Sequence, residues 1–141
     1  MLRAEFESVA ESSPEALHEA YLTVLRETVE RAGVDTVAER ADVERETVRA
    51  VADAEKPELT VETAAAILAT DPERPDADTV EAEALDILLM GMTTAVVDVD
   101  ALAAGVDAEM DPKEVQQKVE GRHPVALAEY AAIQAFLEGE G

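Results

Sequence analysis

Apolar residues in this chain recur three and four positions apart, and the stretches that carry them are bracketed by capping residues, glycines and prolines. Leu17, Tyr21, Leu22, Leu25 and Val29 make the first such stripe, which a helix gathers on one face and a strand would scatter over two. Ser12 and Glu15 precede it with the spacing of a capping box, Pro14 stands where a missing N–H does no harm, and Gly33 closes it. A short helix is predicted from about Thr36 to Ala41 and another from about Glu44 to Ala54, the latter carrying Val48 and Val51 on one side. Pro57 forbids its continuation. Thr60, Glu62 and Thr63 then open a fourth helix in which Ala64, Ile67 and Leu68 face inward.

The stretch Asp71-Pro72-Glu73-Arg74-Pro75-Asp76 is the best candidate linker. Beyond it the pattern begins again. Asp78 and Glu81 cap a long helix carrying Leu85, Leu88, Leu89, Met92 and Val96, and Asp111-Pro112-Lys113-Glu114 is a strong helix start. Gly121 to Pro124 reads as a turn, Leu127, Tyr130, Ile133, Phe136 and Leu137 line the last helix, and Glu138 to Gly141 should fray. Shifted by about 67 positions, Tyr21, Leu22, Leu25 and Val29 fall on Leu88, Leu89, Met92 and Val96, which argues for an internal duplication. The offset drifts in the loops, pairing Val37-Ala38 with Leu102-Ala103, Val48 with Val115 and Ile67 with Ile133. The valine-rich piece from Ala95 to Val99 is too short and isolated to build a sheet. The expected fold is all-α: two diverged helix-turn-helix repeats, residues 14–72 and 77–138, packed around a central apolar helix after an N-terminal extension at 1–13.

Charge narrows the setting. The chain carries 33 acidic and 11 basic residues for a net charge of −22, and its three lysines are Lys56, Lys113 and Lys118. Acid excess spread along the chain, with scarce lysine and abundant alanine and valine, resembles the proteins of halophilic archaea. In about 1 M salt the Debye length is roughly 3 Å, so carboxylates there barely repel one another. A solvated surface is therefore expected, rather than a tail that captures a basic partner, since no block of like charge stands out. Hydrophobic residues make up 48% but aromatics only 3%, so the core must be built from small aliphatic side chains. The absence of cysteine excludes disulfides, thiolate catalysis and cysteine zinc sites. Met1 to Glu5 lacks the apolar stretch of a signal peptide, and no apolar run approaches the ~18 residues of a membrane span. A cytoplasmic location with no membrane partner is the expectation.

The segment Thr36-Val37-Ala38-Glu39-Arg40-Ala41-Asp42-Val43-Glu44-Arg45-Glu46-Thr47-Val48 resembles the helix-turn-helix of the Cro and lambda-repressor-like superfamily. Ala38 holds the place of the small residue where the helices cross, Asp42 that of the turn residue, and Val43 and Val48 those of the locking apolar residues. Asp42 departs from the usual glycine, which the turn favours because it needs positive φ; aspartate tolerates that conformation better than most residues. Leu102, Ala103, Val115 and Val119 are similar to the same motif, with Ala103 and Val115 two positions further apart than Ala38 and Val48. The chain also resembles a haloarchaeal protein family without a known activity, most distinctively at Leu88 to Asp100 and Glu114 to Gln117.

The superfamily resemblance implies a DNA-binding regulator whose second helix enters the major groove by its N-terminal residues. In the first repeat Arg45 and Arg49 would make those contacts, but the carboxylates of Glu44 and Glu46 would face the DNA beside them, and the two arginines could simply pair with Glu46 or Asp53. In the second, Lys113, Gln116, Gln117, Lys118 and Arg122 gather with His123, diluted by Glu114 and Glu120. Glutamine can bond adenine bidentately and arginine can reach guanine or phosphate. Double-stranded DNA is thus one expected partner, and a protein face is the alternative use of the same surface. The helix around Met90-Gly91-Met92 is apolar on nearly all sides; Leu85, Leu88, Leu89, Met92 and Val96 should form an inter-repeat core or, alternatively, a homodimer seam. His18 and His123 have no nucleophile at the spacing of a dyad. Asp76 with Asp78 and Asp98 with Asp100 read as helix caps rather than calcium ligands. No enzyme, metal or cofactor is expected.

Overall fold

A computed structural model describes residues 13–55, 57–106 and 110–140, without the side chains of 138–140. Apart from Ser13, the N-terminal extension lies outside the described residues, as do Ser12 of the expected capping box, Lys56 and Gly141. Among the described residues the regular structure is entirely helical. Helix α1 (Pro14–Ala32) is opened by Ser13, whose hydroxyl accepts from the Ala16 N–H at 3.1 Å, one residue later than the capping box implied. Gly33 closes it with φ 92, donating its N–H to the Val29 carbonyl at 2.7 Å. Then come α2 (Val34–Ala41), α3 (Arg45–Ala52) and α4 (Val61–Leu68), the last capped by Thr60, which accepts from the Thr63 N–H. Aspartates cap the next three: Asp76 for α5 (Ala77–Ala95), Asp98 for α6 (Val99–Gly105) and Asp111 for α7 (Pro112–Val119). Each carboxylate accepts the N–H three residues on, at 2.8 to 2.9 Å, which satisfies a donor the helix cannot. Helix α8 (Leu127–Glu140) runs through the segment expected to fray, held near its end by the buried side chain of Leu137.

The stretch from Asp71 to Asp76 is a tight turn rather than a loose tether. Asp71 accepts the Glu73 N–H on its carboxylate and the Arg74 N–H on its carbonyl, both at 3.0 Å. Helix α4 packs against α5 and α1 against α8, so a continuous hydrophobic cluster runs through both halves of the chain. At its centre the rings of Tyr21 and Tyr130 meet edge to face, with centroids 5.8 Å apart and planes at 67°. The Tyr21 hydroxyl donates to Gln134 Oε1, and the Tyr130 hydroxyl donates to the Ala84 carbonyl at 3.0 Å. Those bonds tie α1, α8 and α5 together. A second tie lies where Thr60 and Ala126 face each other in an isolated antiparallel bridge. Val61 N–H donates to the Val125 carbonyl and Leu127 N–H to the Leu59 carbonyl, each at 2.7 Å.

The lengths of α1 to α4 are 19, 8, 8 and 8 residues, and those of α5 to α8 are 19, 7, 8 and 14. The correspondence between α1 and α5 differs, however, from the expected shift. Their N-caps, Ser13 and Asp76, and their C-caps, Gly33 and Val96, both stand 63 apart (76 − 13, 96 − 33). At that shift the buried Leu17, Tyr21 and Leu25 meet the buried Val80, Ala84 and Leu88. At the expected shift Leu22 and Val29, both buried, would meet Leu89 and Val96, which are 42% and 91% exposed. The two registers differ by four residues, about one helical turn, so apolar periodicity cannot tell them apart; the caps can. Helix α5 is accordingly not buried all round. Leu88 is inside, Leu85 and Met92 pack at the edge of the cluster, and Leu89 and Val96 face outward.

Gln134 is only 4% exposed, so Tyr21→Phe removes a partner from a buried amide, a loss of about 1–3 kcal/mol. A lower urea midpoint with an unchanged slope is expected, and Gln134→Leu in the same chain should recover part of it. An unshifted midpoint for Tyr21→Phe would contradict this assignment of the central bond.

Candidate functional site

The residues expected to contact DNA fall into two groups. Helix α3 packs on α1 and α2, whereas α7 packs on α5 and α6. In the first group the turn between α2 and α3 is held by Asp42, with φ 55 and ψ 45, the left-handed conformation this position was expected to need. The Val43 N–H donates to the Ala38 carbonyl at 3.1 Å across it. Arg45 and Arg49 are exposed along with Glu44 and Glu46. Arg45 Nε lies 2.8 Å from Asp35 Oδ1, so one of the two guanidiniums is already engaged by a carboxylate, though not by Glu46 or Asp53.

The fold divides the second group. Lys113 and Gln116 are exposed and Gln117 is half-buried. Lys118 is turned inward with its side chain 16% exposed, donating from Nζ to both carboxylate oxygens of Glu129 at 2.7 and 2.8 Å and lying 3.5 Å from the Met110 sulfur. Glu129 also accepts the Ala126 N–H at 3.0 Å. Lys118 thus fastens α7 to the start of α8. Arg122 Nε stands 3.5 Å from Glu120 Oε2. Two of the three lysine and arginine side chains of this segment, Lys118 and Arg122, are therefore engaged by carboxylates, and Lys113 stands exposed. Residues 107–109, in the lengthened turn before α7, lie outside the described residues.

The large hydrophobic side chains that stand exposed lie elsewhere, at Leu89, Met90 and Val96. Val96 is the C-cap of α5 and takes φ 56, ψ 50, the place that Gly33 fills in α1. A β-branched residue there is strained by about 1–2 kcal/mol. The sequence signal was the uncharged run from Ile87 to Val97, read as too apolar for one core face. Among the described residues no group of three or more histidine, aspartate and glutamate side chains is placed to hold a metal ion. No single helix there is long and apolar enough to cross a membrane.

Residues 17–140 match a family of unknown function, DUF5791. The chain belongs to that family. Comparison with curated proteins and with solved structures gives no match.

This DUF5791 chain also has a cleft of about 240 Å³ between the start of α4, the middle of α5 and the Gly121–Val125 turn, lined in part by Glu62, Glu81, Arg122 and His123. Burial, then the neighbouring carboxylates of Glu62 and Asp78, hold the Glu81 carboxyl above its ordinary value of 4.5. A raised carboxyl pKa makes the ionised form oppose folding: the associated stability is full below the ordinary value and is lost as pH rises through the raised one. Glu81→Gln should therefore raise the melting temperature at pH 7, with the gain over the parent fading below pH 4.5. An equal gain at both pH values would refute the electrostatic cause. Lys118→Ala should lower stability by about 1.5–3 kcal/mol in a denaturant titration, because it strands Glu129. A fully stable Lys118→Ala chain would return Lys118 to the set of free surface cations.

Proposed function

We propose that this DUF5791 protein is a protein–protein interaction module on a helix-turn-helix-like, two-copy fold, in which the motif's shape is kept and its DNA contacts are not. The observation that carries the reading is that one cation on each second helix, and one in the turn after α7, is engaged by a carboxylate: Asp35 on Arg45, Glu129 on Lys118 and Glu120 on Arg122. A phosphate backbone approaching α3 or α7 would have to compete with these carboxylates, and sequence-independent affinity for DNA rests on cations free to replace its counterions. The large apolar side chains exposed along the second half of α5 and its cap support the same reading, since exposed apolar surface is what a partner protein covers. The pairing of Thr60 with Ala126 and the matched helix caps support descent from two copies. The acidic surface favours a salt-rich cytoplasm as the setting, and no catalytic step belongs to this reading.

A DNA-binding regulator is the second reading, favoured by the left-handed turn at Asp42 and by the exposure of Arg49, Lys113 and Gln116. Fluorescence anisotropy with mixed-sequence duplex DNA, from about 0.1 M to about 1 M KCl, separates the two. The interaction module shows no saturable binding. Binding that disappears in an Arg45→Ala, Arg49→Ala, Lys113→Ala, Arg122→Ala chain would establish the regulator instead. Sedimentation in the same buffers tests pairing of two copies through α5, the other partner the sequence allows.

A further inference from the structure

Leu89, Met90 and Val96 lie within eight residues on the second half of α5 and its cap, and they stand exposed in a chain whose surface is otherwise rich in carboxylates. Isolated exposed apolar residues are ordinary, but Leu89, one of the three, lines a groove beside α7. Val96 is in addition held in a conformation its side chain opposes, and such strain collects at sites with a function. Beside this edge, α5 and α7 enclose an open groove of about 630 Å³. It is lined by the apolar Leu85 and Leu89, with the buried Val119 beneath them, and by the carboxylates Asp78, Glu83, Asp86 and Glu120. Among the described residues no lysine or arginine lines it; Arg122 stands at its edge, its Nε 3.5 Å from Glu120.

The geometry points to the α5–α7 groove as the docking site for a basic amphipathic segment of another protein, its apolar side chains on Leu85 and Leu89 and its lysines or arginines on the four carboxylates. The inference rests on the interaction-module reading and adds the partner's chemistry to it. Charge complementarity selects this occupant. A second copy of the chain would bring its own net charge of −22 and an acidic rim against an acidic rim. A nucleic acid would set phosphates against the same carboxylates, and a lone cation would leave the apolar lining uncovered. A segment with apolar anchors and basic flanks satisfies both surfaces, as helix-in-groove recognition does.

The test uses the full chain and a dye-labelled helical peptide with leucines one turn apart and lysines on either side of them. The control peptide carries glutamates in place of the lysines. Anisotropy titrations at about 0.15 M KCl should show binding of the lysine peptide and none of the glutamate peptide, with the difference narrowing at about 1 M KCl as the charges are screened. Leu89→Ser, at an exposed position that folding does not need, should weaken binding roughly tenfold or more. Glu83→Gln with Asp86→Asn should weaken it a few-fold at low salt and less at high salt. Glu39→Gln with Glu46→Gln, which removes the same charge from α2 and α3, should leave it unchanged. Undiminished binding by Leu89→Ser, or an equal loss in the α2–α3 variant, would reduce the effect to net charge and overturn the groove. No binding of the lysine peptide would overturn it too, as would a dimer in sedimentation that Leu89→Ser dissolves. DNA binding by the parent chain would instead overturn the interaction-module reading, so the two failures are distinct.

Discussion

The junction of Tyr21 and Tyr130 is the constraint on which the rest of the structure depends. These are the chain's two tyrosines, and both are completely buried. A core assembled from valine, leucine and alanine has little that spans the distance between helices, and two aromatic rings meeting edge to face supply that reach together with a favourable quadrupole contact. Each phenol must also find a partner once buried, and the partners chosen, Gln134 on α8 and the Ala84 carbonyl on α5, belong to different helices. The rings therefore do more than fill space: they set how α1, α5 and α8 lie against one another.

From that arrangement follows the placement of everything at the surface. With α1 on α8 and α4 on α5, the remaining short helices α2, α3, α6 and α7 are carried on the outside in two pairs. Lys118 is pinned to Glu129 because α7 must be anchored to the start of α8, and this use of a cation competes directly with its use on a ligand. Helix α5, covered on one side by α4 and α8, keeps its other side open next to α7. Part of the acidic surface and the exposed Leu89 thus meet in one groove.

Much of this was legible along the chain. The helix starts at Pro14, Val61 and Pro112, and the stop at Gly33, follow from capping chemistry that acts over three or four residues. The inward positions Leu17, Tyr21, Leu25, Val48, Val51 and Ile67 follow from periodicity, and the left-handed turn at Asp42 from the motif it resembles. Which shift brings the caps of α1 onto those of α5 was not legible, since a slip of one turn keeps every side chain on nearly the same face. The outward turn of Leu89 and Val96 was hidden for a related reason: hydrophobicity says that a side chain prefers cover, not whether a neighbouring helix is there to give it.

By itself, the sequence determined that this DUF5791 chain is all helical, where most of its helices begin and end, and that its core is aliphatic, because caps, prolines and apolar spacing act locally. Only the tertiary structure decided which charges are free and which apolar residues are covered. Those are properties of pairs far apart in the chain: Lys118 with Glu129, Arg45 with Asp35, Tyr21 with Gln134. A cation eleven residues from its carboxylate reads as a ligand contact until folding brings the two within 2.7 Å.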